Sequence, residues 1–346
     1  MSMWRRLGDW LGDPQVRPFV ILAACIVLLV ALDGGSGRFL SATTAYSTLQ
    51  TFATIGLVTL GLGLTMLIRE FDLSVVGMFG LAGCVAVLTG AQEPWLGGAL
   101  ALAIGLATGI VQGLVIVRLQ LASVGVTLGG LLVCTGIAAV LTENRSLPYD
   151  NIPVALLLNA RFAGILSIRS AVALAVFVLA AAVFAWTRLG RDIVAIGSDR
   201  RAAITAGVGV DGLVVGIFAF SGFCAALSGV LLSYSLASAS PAALSEVIAP
   251  AAAGAILGGV SLGGGSGRPW GIAAGALTLA VLRSGLNAVG APPFVNDVAM
   301  GAVLLVVAIL DGPYLARRLI VGRRFMRRVL GSRRLRPAAP APDRPR

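Results

Sequence analysis

The 346-residue chain has no histidine and no lysine, so all 26 basic residues are arginine. Without histidine, the paired-His zinc-protease signature cannot be written on any helix, and His-based general acid–base catalysis is excluded. Without lysine there can be no Gly-x4-Gly-Lys-Ser/Thr phosphate loop. Charge of either sign is scarce: 12% of residues are charged and 58% hydrophobic, against about 25% and 45–50% in soluble domains. That balance excludes an ordinary soluble domain and leaves a membrane protein. Cysteine is sparse too. Cys25, Cys84, Cys134 and Cys224 each lie inside an apolar run with no CxxC spacing. They read as small buried hydrophobes, with neither a metal site nor a disulfide framework implied. No cofactor is expected. A small-residue cleavage site is missing after the first apolar run, so that run reads as an anchored first span rather than a cleaved signal.

What remains is apolar sequence in blocks. A hydrocarbon core about 30 Å thick needs about 20 apolar helical residues. Residues 18–34, 46–68, 71–90, 95–117, 121–142, 164–186, 213–235, 246–262, 269–289 and 294–311 meet that need as ten spans. The third and eighth are short or interrupted by Gly and Pro, so a broken or re-entrant course is open for both. The fold class is therefore an all-α polytopic membrane protein. One transmembrane domain covers 18–311, after an N-terminal segment 1–17 and before a basic tail 312–346. An offset of five spans pairs spans 2–5 with spans 7–10, and an odd offset inverts the second bundle relative to the first.

Arginine placement sets the orientation, because cytoplasmic loops collect positive charge. With the N-terminus inside, Arg5, Arg6, Arg17, Arg69, Arg118 and Arg268 fall inside, as do Arg188, Arg191, Arg200 and Arg201 of the 187–212 loop. The outer connections hold Arg38, Arg145 and Arg161, with Arg169 at a helix entry. Both termini are expected in the cytoplasm of a bacterial inner membrane. Segment 142–164, with Pro148, Tyr149, Asn151 and Pro153, reads as a structured outer cap, either a plain connector or a docking surface.

Ionisable and polar residues inside apolar spans are costly and point to function by default. In 67–83, Arg69, Glu70 and Asp72 form either a cytoplasmic turn with Asp72 or Ser74 as helix N-cap, or a gate near the inner mouth. In 245–271, Glu246 opens an apolar segment that carries Pro250, Gly258–Gly259 and Gly263–Gly265. Gln112, Thr127, Asn287, Asn296 and Asp297 form a polar scatter that serves either as glue between helices or as a pathway lining. The translocation or gate candidates are Asp72, Ser74, Gln112, Thr127, Glu246 and Asn287. The paired arginines from Arg317 onward suit anionic lipid, at about 1 kcal/mol per charge. No folded module supports nucleic-acid binding.

Several of these stretches together resemble one family. FDLSVVGMFGLAGCVAV (71–87), GLVIVRLQLASVGVTLGGLLVCTGIA (113–138), GRDIVAIGSDRRAAITAGVGV (190–210), GAILGGVSLGGGSGRPWGIAAGALTLAVLRSGLNAVG (254–290) and GAVLLVVAILD (301–311) resemble the permease subunits of ribose-type ABC importers, within the branched-chain permease superfamily. The resemblance implies a sugar or sugar-like polyol as cargo. It also implies an ABC ATPase subunit as energy source, an external binding protein and a second permease copy. No ATPase site of the chain's own is expected, so the chain is no enzyme. It further implies a coupling helix in the 187–212 loop, carrying Arg191, Ala195, Gly197 and a Glu-Ala-Ala-x3-Gly pattern that here reads Arg201-Ala202-Ala203-x3-Gly207. Arg201 replaces the usual glutamate. Arg69-Glu70-Phe71 replaces a Gly-Gly-Ile type of sequence, Ala122-Ser123 replaces a proline pair, and Pro250 is an addition. Import of branched-chain amino acids or nucleosides is the alternative within the superfamily. An ion-driven secondary transporter is the alternative outside it.

Overall fold

A computed structural model describes residues 15–241 and 247–305. Glu246 and the arginine-rich tail lie outside the described residues. The helices are α1 (Arg17–Leu32), α2 (Ala42–Leu67), α3 (Ser74–Thr89), α4 (Pro94–Leu119), α5 (Ser123–Leu141), α6 (Ile152–Asn159), α7 (Ile168–Trp186), α8 (Arg188–Ser198), α9 (Arg200–Thr205), α10 (Val210–Ser235), α11 (Ile248–Leu257) and α12 (Pro269–Ala288). A shorter apolar helix, α13, spans Pro293–Leu305. Each of the ten expected spans contains one helix, and six of these are long and apolar enough to cross a membrane. Residues Gly301–Arg346 form a second unit, described only through Leu305.

Local chemistry sets the helix starts. Proline, whose missing N–H costs nothing in a first turn, opens α4 and α12. Ser41 caps α2 by accepting from the Thr44 N–H, and Ser167 with Ser170 forms a reciprocal capping box at α7. Pro250 falls in the first turn of α11, where a missing donor is tolerated, so the extra proline does not break that helix. The break comes at Gly258–Gly259, with Gly259 at φ +82°. At about 1.5 Å per residue, the 10 described residues of α11 rise about 15 Å, half a hydrocarbon core.

Burial separates centre from rim. The most apolar window of α2 is 78% buried, whereas that of α5 is 17% buried. α5 therefore turns most of its apolar surface outward, as a lipid-facing helix does. α3 is buried along nearly its whole length, the pattern of a helix hydrophobic all round. It packs against α4, α5 and α10. Glycines bring these backbones together: a Cβ on Gly229 would collide with the Phe79 carbonyl, and one on Gly109 with the Phe218 carbonyl. Small residues permit such approach where lipid offers no hydrophobic drive between helices.

The packing follows the five-span exchange. α3 contacts α4 as α11 contacts α12, and α4 lies on α10 as α12 lies on α2. α3 meets α10 as α11 meets α2, while α2 and α10, the first members of the two sets, pack on each other. At one end of α3 sits the cap. Strand β1 (Leu147–Pro148) pairs antiparallel with β2 (Ser238–Ala239), with Leu147 opposite Ala239. The Tyr149 hydroxyl donates to the Gly90 carbonyl at 3.0 Å, and its ring stacks on Tyr234 at 4.7 Å. Asn151 donates to the Ala91 carbonyl. Burial pushes the Tyr149 hydroxyl above its usual range, so it stays protonated and donating.

Gly229→Ala should lower the melting temperature of the detergent-purified protein, at an overpacking cost of about 1–3 kcal/mol. Gly216→Ala, where nothing lies within 4 Å of the added Cβ, should leave it unchanged or raise it. Size-exclusion recovery after a heating series reads both.

Candidate functional site

Polar groups collect at three places along α2 and α10, and the first set is built around Asp72. The chain leaves α2, makes a short non-helical passage through 68–73, and enters α3. Asp72 is 1% exposed and makes no ion pair among the described residues. Its Oδ1 accepts from the Ser74 N–H at 3.0 Å and the Ser74 hydroxyl at 2.6 Å, and its Oδ2 accepts from the Ser221 hydroxyl of α10 at 2.7 Å. Neither capping candidate occupies the N-cap, which is Leu73 and makes no side-chain cap bond; Asp72, one residue earlier, accepts from the first helical N–H, and the positive end of the α3 dipole faces its carboxylate.

Two further candidates adjoin this carboxylate. Thr127, fully buried, donates to the Phe71 carbonyl at 3.1 Å and to the Ser123 carbonyl at 2.8 Å. The Ser123 hydroxyl accepts from the Phe71 N–H, so the Ala122–Ser123 departure supplies a bond that proline could not. Gln112 of α4 is 5% exposed, and neither its amide oxygen nor its nitrogen has a partner. It lies against Gly130, as does Ser74. The arrangement therefore holds one buried acid, four hydroxyls (Ser74, Ser123, Thr127 and Ser221) and one unsatisfied amide at the meeting of α3, α4, α5 and α10. Asn287 is elsewhere: it is exposed near the end of α12 and accepts from Asn296 at 3.0 Å. Asp297 is exposed in the opening turns of α13.

Nearer the cap lies a buried guanidinium. Arg169, 6% exposed, donates from Nη1 to the Ser235 hydroxyl at 2.8 Å and from Nη2 to the Thr54 hydroxyl at 2.6 Å. Ser228 donates to the Thr54 carbonyl, so α2, α7 and α10 are joined at one place. The position of Arg169 at a helix entry hid this role. Its presence within the first turn of an apolar helix was the available signal.

The third set lies at the other end of α3 from the cap. α8 begins at the Thr187 cap, which accepts from the Leu189 N–H. Its buried residues, Gly190, Ile193, Ile196 and Gly197, recur along one stripe, the mark of a helix lying on a surface. Asp199 then caps α9 by accepting from the N–H groups of Arg201 and Ala202 at 2.9 and 3.1 Å. α9 ends in a Schellman turn: Val208 N–H reaches the Ala203 carbonyl and Gly207 N–H the Ile204 carbonyl, with Gly207 at φ +83°.

Of the coupling candidates, Gly197 and Ala203 are buried, Ala195 is half-buried, and Arg191, Arg201, Ala202 and Gly207 are exposed. The Arg201 side chain makes no ion pair among the described residues; its neighbour Arg200 pairs with Glu70 at 2.9 Å. Arg69 donates to the Gly197 carbonyl from Nε and to the Ser198 carbonyl from Nη2, each at 2.6 Å. Gly265 N–H donates to the Leu67 carbonyl at 2.9 Å, which brings the glycine-rich segment to the same place. Nothing in the spacing of 69, 197 and 265 foretold this convergence. Among the described residues, no group of three His, Cys, Asp or Glu side chains is placed to hold a metal ion.

Comparison with known proteins adds to this geometry. The model of a family described as "Branched-chain amino acid transport system / permease component" matches residues 44–308. The ribose import permease protein of Escherichia coli strain K12 is 29% identical over 300 residues, covering 84% of this chain and 92% of the relative. The D-allose transport system permease protein of the same strain is 29% identical over 310 residues, covering 85% and 90%. Its xylose transport system permease protein is 27% identical over 364 residues, covering 86% and 92%.

Ser221→Ala should lower the melting temperature, removing a buried bond to a carboxylate at about 1–2 kcal/mol. Gln112→Leu should leave it unchanged or raise it, since no bond is lost and an unsatisfied amide is removed. Differential scanning fluorimetry of the purified protein separates the two.

Proposed function

The chain belongs to the branched-chain amino acid transport system / permease component family, and from that premise we propose that it is the membrane subunit of an ABC importer for a sugar or sugar-like polyol. The carrying observation is the match over 44–308, which spans α2 to α13, together with relatives named for ribose, allose and xylose. The fold supports the assignment: it is a helical bundle bearing an amphipathic two-helix hairpin, α8–α9, at one end. An ATPase subunit docks on the face of that hairpin that carries Arg191, Arg201, Ala202 and Gly207. An external binding protein delivers cargo at the cap end. Both termini lie in the cytoplasm, two copies of the chain form the transport unit, and the arginine-rich tail rests on anionic lipid.

Within this reading Asp72, Ser74, Gln112, Thr127 and Ser221 form a polar station on the translocation route or its gate. Neutral polyols are recognised through hydroxyl and amide hydrogen bonds, and an amide with both ends unsatisfied offers two. The family's own description favours branched-chain amino acids as a second cargo class; zwitterions of that kind call for charged recognition. Asp72 is the only charged member of the station.

The ATPase subunit should co-purify with the wild-type chain and with Arg201→Ala, and be lost when 195–207 is deleted. In proteoliposomes, ATP hydrolysis should rise when the cognate binding protein carries a pentose or hexose and not when leucine is offered. Retained ATPase after the deletion, or stimulation by leucine alone, would overturn the assignment. Gln112→Leu should keep the fold and lower sugar uptake several-fold.

A further inference from the structure

We infer that Arg69 is a positioning residue for coupling: it fastens the α8–α9 joint to the end of α2, so that displacement of the hairpin moves α2 and the 261–267 loop together. This rests on the reading of the hairpin as the ATPase-docking element. The geometry begins with a conformational cost. α2 ends in a Schellman turn, with Arg69 N–H on the Met66 carbonyl and Glu70 N–H on the Thr65 carbonyl. That turn places Arg69 at φ +65°, the position that Gly207, Gly259 and Gly290 occupy at the ends of α9, α11 and α12. Glycine takes this left-handed conformation freely, whereas an arginine is strained there. A residue held against that preference is held by its contacts.

The contacts are specific. Gly197 and Ser198 are the last two residues of α8, and the carbonyls at a helix C-terminus have no partner within the helix. Arg69 supplies both from adjacent N–H groups of one planar guanidinium, a geometry that a lysine ammonium cannot copy. Its charge also meets the negative end of the α8 dipole. Next along the chain, Glu70 reaches Arg200 in the first turn of α9. Arg69 and Glu70 thus grip the two helices on either side of Asp199. From the other side, Gly197 lies so close to the Leu67 carbonyl and the Gly265 nitrogen that a Cβ there would collide with both. Gly264, at φ +71°, leaves its space to the Arg69 side chain. The chain beyond this loop enters α12 at Pro269. α2 and α12, which pack on each other, are therefore addressed through one joint.

Hydrogen–deuterium exchange read by mass spectrometry tests this without a transport substrate. In the purified full chain, Arg69→Ala should speed exchange of the 197–203 amides about tenfold, equivalent to about 1.4 kcal/mol, with α10 unchanged. In the complex with the ATPase subunit, ATP plus orthovanadate should alter exchange at both 197–203 and 261–268 in the wild type. In Arg69→Ala that alteration should be confined to 197–203. Glu70→Arg and Arg200→Glu should each weaken transmission to 261–268, and the double exchange should restore it. An Arg69→Ala complex that passes the change to 261–268 at wild-type size overturns the inference, as does unaltered exchange at 197–203 in the isolated chain. Failure of the wild-type chain to retain an ATPase subunit would instead count against the transporter assignment, and the isolated-chain measurement would still decide the role of Arg69.

Discussion

Hydrocarbon offers no hydrogen bonds, so a chain that lies in it must satisfy its backbone polar groups from its own atoms. The rest of this structure depends on that constraint. The non-helical passage before α3 can be buried because Ser123 and Thr127 take up the Phe71 N–H and carbonyl, and because Ser74 and Ser221 surround the Asp72 carboxylate. Arg169 is tolerated in its buried place because Thr54 and Ser235 receive it. The exposed carbonyls at the end of α8 are met by Arg69. Apart from the local Ser74–Asp72 bond, each of these joins segments far apart in the chain. The bonds that buried polar side chains find thus also decide which segments are tied, while Gln112 and the Arg169 Nε are left without a partner.

Between these ties the packing is of backbone on backbone. Gly61 lies against Ser221, Gly105 against Gly222, and Gly229 against Phe79, so α2 and α10 approach their neighbours with little side-chain padding. The exchange relation between the two helix sets has the same basis. α3 and α11 are the short members, each wedged between a long helix of its own set and the leading helix of the other. Asp72 precedes α3, whereas the described start of α11 has an apolar stretch and Pro250, Glu246 lying outside the described residues.

The apolar blocks and the two short spans were legible in the sequence because about twenty consecutive apolar residues have few other uses in a protein. The cap was legible as well, since prolines and a tyrosine between spans forbid another helix of full length. Legibility ended where a role depends on a partner far along the chain. Ser221 sits in an apolar helix and looks like any small hydroxyl, and its carboxylate lies 149 positions earlier. The partners of Arg69 are carbonyls, which every residue possesses, so no pattern could flag Gly197 and Ser198. Asn287 illustrates the converse: amide chemistry grouped it with Gln112, but its place near the end of α12 sets it with Asn296.

The length of α10 gives these details a mechanical scale. Its 26 residues make a rod roughly 39 Å long, with the exit of the α8–α9 hairpin at one end, Ser221 part-way along, and the stacked Tyr234 under the cap at the other. Because its glycine contacts with α3 and α4 leave no gap, small rotations are transmitted along the rod instead of being absorbed by side-chain rearrangement. A tilt of one degree about one end carries the other by about 0.7 Å on that length. A tilt of three degrees would therefore carry the cap end by about 2 Å.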